Sequence, residues 1–147
     1  MKIYIGCDHG GLHLKEQIIL ALSDVQVDIE DLGVQEAIST DYGPIAKHVA
    51  ELVVTNEEAF GILICGTGIG MSIMANKVKG ARAAVVHDTF SAKATRAHND
   101  ANILCMGERV IGPGLATDIV KVWLATQFEG GRHKRRVDYI CNFEREE

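Results

Sequence analysis

No stretch of this chain stays apolar for anything near the roughly 18 residues that a membrane-crossing helix requires, which excludes a helical span. No two of its four cysteines, at 7, 65, 105 and 141, have the Cys-x-x-Cys spacing of a redox or metal motif, and they read as free thiols of a reducing compartment rather than a disulfide framework. There is no excess of positive charge. The 15 Lys+Arg against 20 Asp+Glu leave a formal net charge of -5, which speaks against general attraction to nucleic acid or an anionic membrane. The first residues show neither the basic start nor the apolar core of a signal peptide, so the expected location is cytoplasmic. No repeat, low-complexity segment or linker divides residues 1–147, and the expectation is one domain with a sizeable core. Hydrophobic residues at 47% and charged residues at 24% are the balance of an ordinary soluble globular chain.

What is present alternates. Short apolar runs at 3–6, 62–64, 81–86 and 103–106 predict strands, and the apolar–polar alternation of 25–29 predicts an edge strand. Between them, helical spacing predicts helices over 12–22, 45–54, 71–77 and 89–98, with Asp88 or Thr89 as a cap for the last of these. A long amphipathic helix over 115–128 follows, then a break at Gly130-Gly131 and a final helix over 132–144. Residues 31–44, with Gly33, Gly43 and Pro44, read as a loop. Strands alternating with helices predict an α/β fold: a five-stranded parallel sheet with helices on both faces, since each parallel connection needs a crossover. In such sheets ligands sit beyond the carboxyl ends of the strands. Asp8-His9, Cys65 to Gly70, His87-Asp88 and Gly107 to Arg109 fall there.

The stretch that organises the chain is Gly61 to Gly70, Gly-Ile-Leu-Ile-Cys-Gly-Thr-Gly-Ile-Gly. It lacks the Gly-Lys-Ser/Thr end of a P-loop and the Gly-x-Gly-x-x-Gly order of a dinucleotide fingerprint, although Asp88 lies about 20 residues on. The glycines either only make a tight turn or cradle an anion at the start of a helix. Cys65 is either a small core residue ending a strand or a reactive thiolate at the mouth of that cradle. Cys7, Cys105 and Cys141 have no such neighbour and read as packing. Asp8, His9 and His13 are weak evidence for a metal, because His9 lies in a turn and need not share a helix face with His13. His98, near a helix end, either complements the dipole or serves as an acid/base. Arg132 and Arg136, four apart in the one basic cluster, share a helix face that is either solvated or suited to a phosphate. Nucleic acid competes poorly there, without interleaved aromatics.

Six motifs occur together and in order: Gly6-Cys7-Asp8-His9-Gly10-Gly11, Thr40-Asp41-Tyr42, Ile64 to Gly70, Ala75-Asn76-Lys77, His98-Asn99-Asp100-Ala101-Asn102 and Glu129-Gly130-Gly131-Arg132-His133. On these the chain resembles, over essentially its whole length, the type B ribose-5-phosphate isomerases of the sugar-phosphate isomerase family that includes galactose-6-phosphate isomerase. The resemblance implies a Rossmann-like αβα sandwich with a C-terminal helix. It implies a homodimer, in some members paired into a tetramer, with active sites at the dimer interface, no metal and no organic cofactor. The implied reaction interconverts D-ribose 5-phosphate and D-ribulose 5-phosphate.

The resemblance also implies roles. Cys65 is similar to the base that moves the proton between C2 and C1. Gly66, Gly68, Ile69 and Gly70 resemble the anion hole, with Thr67 inside it and Asn99 as a further donor. His98 resembles the ring-opening residue, helped by Asp8 and Tyr42. His9, Arg132, Arg136 and Arg109 resemble the phosphate ligands. One branch of the family uses a glutamate as base at the position of Met71, and a methionine cannot take a proton, so this chain would depend on Cys65. A six-carbon sugar phosphate (allose or galactose 6-phosphate) is the competing substrate. A non-catalytic sugar-phosphate-binding regulator is the reading from another class.

Overall fold

The structure is a computed structural model that describes residues 1–146. The chain order is β1 (Lys2–Cys7), a 3-10 turn (His9–Gly11), α1 (Leu12–Ala21), β2 (Asp28–Asp31), α2 (Tyr42–Val54), β3 (Ala59–Cys65) and α3 (Ile69–Ala75). It continues through β4 (Ala83–Val85), α4 (Thr89–Asn99), β5 (Ile103–Gly107), α5 (Pro113–Ala125) and α6 (Gly131–Glu146). Among the described residues the strands form one five-stranded sheet in the order β2-β1-β3-β5-β4, every neighbouring pair parallel. Among the described residues no helix is long and apolar enough to cross a membrane.

Side-chain alternation along the strands divides the core into two layers. Ile62 and Ile64 of β3 join Ile3, Ile5, Leu104 and Met106 on the face covered by α1 and α5, where Ile18 and Trp123 are buried. Leu63 and Cys65 point the other way, with Ile103 and Cys105, against Val49 and Val53 of α2 and Met71 of α3. The three-layer α/β sandwich expected of the sequence is therefore the observed one. From β1 the chain runs outward to β2, then returns to place β3 on the other side of β1. In parallel sheets of this kind the ligand crevice lies where the order reverses, here beyond the carboxyl ends of β1 and β3.

Several boundaries move, each for a local reason. α2 begins at Tyr42, so Gly43 and Pro44 lie in its first turn rather than in a loop; proline suits that turn because the first N–H groups have no partner to lose. β2 lies three residues later than the predicted edge strand. There Lys2 reaches Asp28 at 3.1 Å and Glu30 at 3.0 Å on the outer face. β4 shortens to three residues. The Asn76 side chain accepts from Ala83 N–H at 2.8 Å and donates to Ala83 O at 2.9 Å, and Asn102 Oδ1 accepts from Arg82 N–H at 2.7 Å. These amides do the work of a neighbouring strand. α5 stops at Ala125, before the predicted 128, because Thr126 turns extended with its hydroxyl on Val122 O at 2.7 Å. Gly130 and Gly131, at φ 67° and 55°, then make the left-handed turn into α6.

α1 carries a lysine inside the core. Lys15 is 1% exposed, and its ammonium donates to Asp31 at 2.8 and 3.0 Å and to Val34 O at 2.7 Å. This clamp ties α1 to the end of β2 and to the loop that leads to Tyr42. Burial by itself would raise the Asp31 pKa. The hydrogen bonds from Lys15, Gln35 and Gly33 N–H outweigh it and hold the carboxyl below its ordinary value. The stability this carboxylate supplies is present at neutral pH and is lost as the pH falls below the ordinary carboxylate value towards the lowered one. Asp31→Ala strands a buried ammonium and is expected to cost about 2–4 kcal/mol, less than a fully buried pair would because Asp31 is partly exposed. Lys15→Met removes the charge instead and leaves Asp31 to water, so its cost is expected to be smaller, about 1–2 kcal/mol. Urea unfolding midpoints at pH 7 order the two variants, and equal midpoints would refute the clamp.

Candidate active site

Cys65 is the last residue of β3 and is 5% exposed, its side chain on the α2–α3 face. Its Sγ accepts a hydrogen bond from the Gly68 N–H at 3.1 Å. Gly68 reaches that position only with φ at +77°, and a Cβ on it would stand 2.9 Å from the backbone of Met106. The loop is fastened from β5: Glu108 N–H donates to Cys65 O at 2.9 Å and Arg109 N–H to Gly66 O at 3.1 Å. Ile69 N–H donates to the Thr67 hydroxyl at 3.3 Å as α3 begins. The sulfur thus faces a backbone donor at the entrance of a helix, in a loop whose Cys65, Gly66 and Gly68 carbonyls are already committed.

The glycines show what surrounds it. A Cβ on Gly66 would lie 3.2 Å from Arg109 Nη1, one on Gly70 would lie 2.5 Å from Tyr42 Cζ, and one on Gly10 would lie 3.1 Å from Gly66 N. Arg109, Tyr42 and the turn after β1 therefore close on the loop. Only part of the glycine requirement is room for a ligand; at 68 and 70 it is room for the protein itself. Asp8 is buried, and its Oδ1 accepts from Gly10 N–H at 2.8 Å, capping that turn. His9 is exposed. Its Nδ1 accepts from Thr40 N–H at 3.1 Å, which puts the proton of the neutral ring on Nε2, the nitrogen left free for a ligand.

The other predicted residues are not here. α4 runs back along the sheet and ends at Asn99, just before β5 starts at Ile103 beside Gly61. His98 and Asn99 therefore lie at the amino ends of the strands, roughly 13–20 Å along the sheet from Cys65 at ~3.3 Å per residue. His98 stacks on His133 of α6, ring centroids 4.3 Å apart and 11° from parallel. His133 Nε2 stands 3.3 Å from Glu129 Oε2. Burial, then His98 and Arg132, lower the His133 pKa, against the opposing Glu129 carboxylate. Arg132 and Arg136 are exposed at the start of α6, at this same end. A single chain brings together Cys65, Thr67, the glycine loop, Asp8, His9, Tyr42 and Arg109; it leaves His98, Asn99, Arg132 and Arg136 on the far side.

Other candidates resolve into structure. Asp88 accepts from Ser91 N–H at 2.6 Å as the cap of α4, which occupies the carboxylate that a dinucleotide ribose would need. Asp100, in the left-handed region at φ 48°, ends α4 and takes Arg96 at 2.7 Å and Arg82 at 3.3 Å. Cys7 and Cys105 are fully buried. Burial pushes the Cys7 thiol up to about 11 despite the nearby Lys15, and pushes Cys105 up further, with Cys65 beside it adding to the effect. Two supports were invisible to spacing. Glu108 Oε2 accepts from Leu14 N–H at 2.8 Å in the first turn of α1, and His87 Nε2 accepts from Gly107 N–H at 3.0 Å. Both sit in polar clusters at strand ends, which was the only signal for them.

Gly68→Ala combines a left-handed φ with a backbone clash, and is expected to cost about 2–4 kcal/mol and to pull the amide off Cys65. Gly114→Ala, in α5 with nothing within 4 Å of the new Cβ, is expected to be neutral or to stabilise by up to about 1 kcal/mol. Thermal unfolding of the two variants checks the contrast; a Gly68→Ala protein as stable as the parent would overturn it.

Comparison with known proteins agrees with this fold. The ribose/galactose isomerase family matches residues 3–140. Ribose-5-phosphate isomerase B of Escherichia coli is 48% identical, over 97% of this chain and 96% of its own. The solved structure of ribose-5-phosphate isomerase B from Clostridium thermocellum superposes with a TM-score of 0.96 at 49% identity, covering 99% of each chain. Ribose-5-phosphate isomerase B from Mycoplasma genitalium, solved with bound ribulose-5-phosphate, gives a TM-score of 0.96 at 42% identity, covering 99% of this chain and 97% of that one.

Proposed function

The chain belongs to the ribose/galactose isomerase family, and on that premise we propose that it interconverts D-ribose 5-phosphate and D-ribulose 5-phosphate with Cys65 as the base. The observation that carries this reading is the Cys65 sulfur held by the Gly68 amide at 3.1 Å, at the mouth of the glycine loop. The C2 proton of an aldose is a poor acid. Its removal needs a placed base and stabilisation of the charge that develops on oxygen. In this mechanism the Cys65 thiolate takes the C2 proton. The C–H electron pair forms a C1–C2 double bond, and the carbonyl oxygen at C1 takes the negative charge. The proton returns to C1, and O2 loses its own proton to O1, with the Thr67 hydroxyl beside the exchange, as O2 becomes the carbonyl. Backbone donors of Gly66 to Gly70, with Asn99, hold the enediolate; removal of one such donor typically costs about 3–4 kcal/mol in the transition state.

Two copies of the chain complete each site. His98, Asn99, Arg132 and Arg136 lie too far along the sheet to serve their own Cys65, so those of the partner subunit serve it instead, in a homodimer that can pair into a tetramer. His98, with Asp8 and Tyr42, opens the furanose ring. His9, Arg109, Arg132 and Arg136 hold the phosphate, which does not react but fixes the carbons against the sulfur. The described residues 1–146 form one such unit, and the reaction runs in the cytoplasm, in sugar-phosphate metabolism, without a cofactor. The family name spans ribose and galactose, which keeps a six-carbon sugar phosphate as the second reading. Relative turnover of ribose 5-phosphate, allose 6-phosphate and galactose 6-phosphate separates the two.

Cys65→Ala is expected to keep sugar-phosphate binding and to lose about a thousandfold in turnover. Exchange of the C2 proton with solvent at the parent rate in that variant would sink the base assignment. Arg132→Ala and Arg136→Ala are each expected to raise KM about 10- to 100-fold; unchanged affinity in both removes the phosphate assignment. The shared site has its own test. Cys65→Ala and His98→Gln proteins, each inactive, are unfolded together and refolded as a mixture. Half of the dimers then hold one intact site of two, so about a quarter of the parent activity is expected to return. No recovery, with mixed dimers present, would place His98 and Cys65 in the same chain's site or His98 outside it.

A further inference from the structure

The stacked histidines at the junction of α4 and α6 have a third member. His98, Glu129 and His133 each hold one ligand atom within 4.8 Å of the others. We propose that these three side chains form a binding site for a divalent transition ion of the zinc type, and that its occupancy withholds His98 from the isomerase reaction. The second half of that statement rests on the role proposed for His98; the first does not.

The donor set decides the class of ion. Two imidazoles and one carboxylate suit zinc, cobalt or nickel, whereas magnesium and calcium seek oxygen ligands throughout. The distances are within reach. Tetrahedral zinc, with bonds of about 2.0–2.2 Å, holds neighbouring donors roughly 3.3–3.5 Å apart. His133 Nε2 and Glu129 Oε2 already stand at 3.3 Å. The His98 nitrogen needs to close by about 1.5 Å at most from the 4.8 Å limit, and the His98 and His133 rings, stacked 11° from parallel, must turn out of that stack for both nitrogens to face one ion. The frame is firm: Glu129 N–H donates to Ala97 O at 3.0 Å, which locks the loop carrying the carboxylate to the end of α4. His133 is itself buried, and the carboxyl end of α4 presents the negative end of its dipole to a cation. Arg132 and Arg136 oppose, and they set the affinity below that of a structural zinc site. Three protein donors leave a fourth position for water.

A metal-stripped full-length protein is titrated with zinc by calorimetry and with cobalt by absorption. One ion per chain is expected, with the weak visible bands of nitrogen and oxygen ligation and no thiolate charge-transfer band. His133→Gln and Glu129→Gln are each expected to weaken binding tenfold or more, and Cys65→Ala and Cys141→Ala to leave it unchanged. The Glu129 variant changes an exposed side chain and covers the case in which the buried His133 variant fails to fold. Binding indifferent to both substitutions, or lost with either cysteine, overturns the site. Zinc is expected to inhibit the parent enzyme and to inhibit Glu129→Gln at least tenfold less potently, each against its own metal-free rate. Zinc bound with the stated residue requirements but without effect on turnover overturns the link to His98.

Discussion

The carboxyl ends of β1, β3 and β5 approach so closely that no side chain fits between them. A Cβ on Gly11 would stand 2.5 Å from Ile64 O, and one on Gly107 would stand 2.6 Å from Thr67 Cα. The glycine loop after β3 is thereby wedged between the turn after β1 and the end of β5. Its shape is not left to its own flexible residues. It is imposed by backbone on both sides, with Glu108 and Arg109 N–H groups holding the Cys65 and Gly66 carbonyls. Preorganisation of this kind is what lets a backbone amide stay aimed at a sulfur without reorganising during a reaction. The elements behind it are tied in turn: Glu108 caps α1, and Lys15 of α1 holds the loop leading to Tyr42.

The same winding that builds this end of the sheet empties it of other partners. In a parallel α/β unit every helix carries the chain back to the amino ends of the strands. Whatever lies at the last turn of a helix, such as His98 on α4, is delivered away from the crevice. The proposed second copy restores what this topology removes. It also explains why one chain carries two incomplete sets of polar residues, one at each end of its sheet.

The motif His98-Asn99-Asp100-Ala101-Asn102 shows how function and structure are interleaved at single-residue spacing. Asp100 ends a helix and pairs with two arginines, and Asn102 closes a turn onto Gly80 O at 3.0 Å and Arg82. Only His98 and Asn99 are left for chemistry. Likewise Asn76 of the Ala75-Asn76-Lys77 motif is consumed in holding the edge strand β4. A motif read from sequence marks such residues together, because local pattern carries no record of which hydrogen bonds have been taken.

Periodicity alone determined the α/β class, the parallel sheet and the approximate place of each strand and helix, since burial on one face or two imposes a repeat that the chain must carry. Glycine and cysteine at the end of an apolar run marked the loop, because a tight strand-to-helix turn needs residues without Cβ. Resemblance supplied the chemistry. Tertiary structure alone decided three things. It made Gly68 necessary through backbone contact with Met106 and set the Tyr42 ring against Gly70, both partners far away in sequence. It buried Lys15 in an ionic clamp that helical spacing would have placed among the apolar positions without a partner. And it stacked His98 on His133, because the packing of the last helix against α4 is a property of the folded path and leaves no trace in the local pattern of residues.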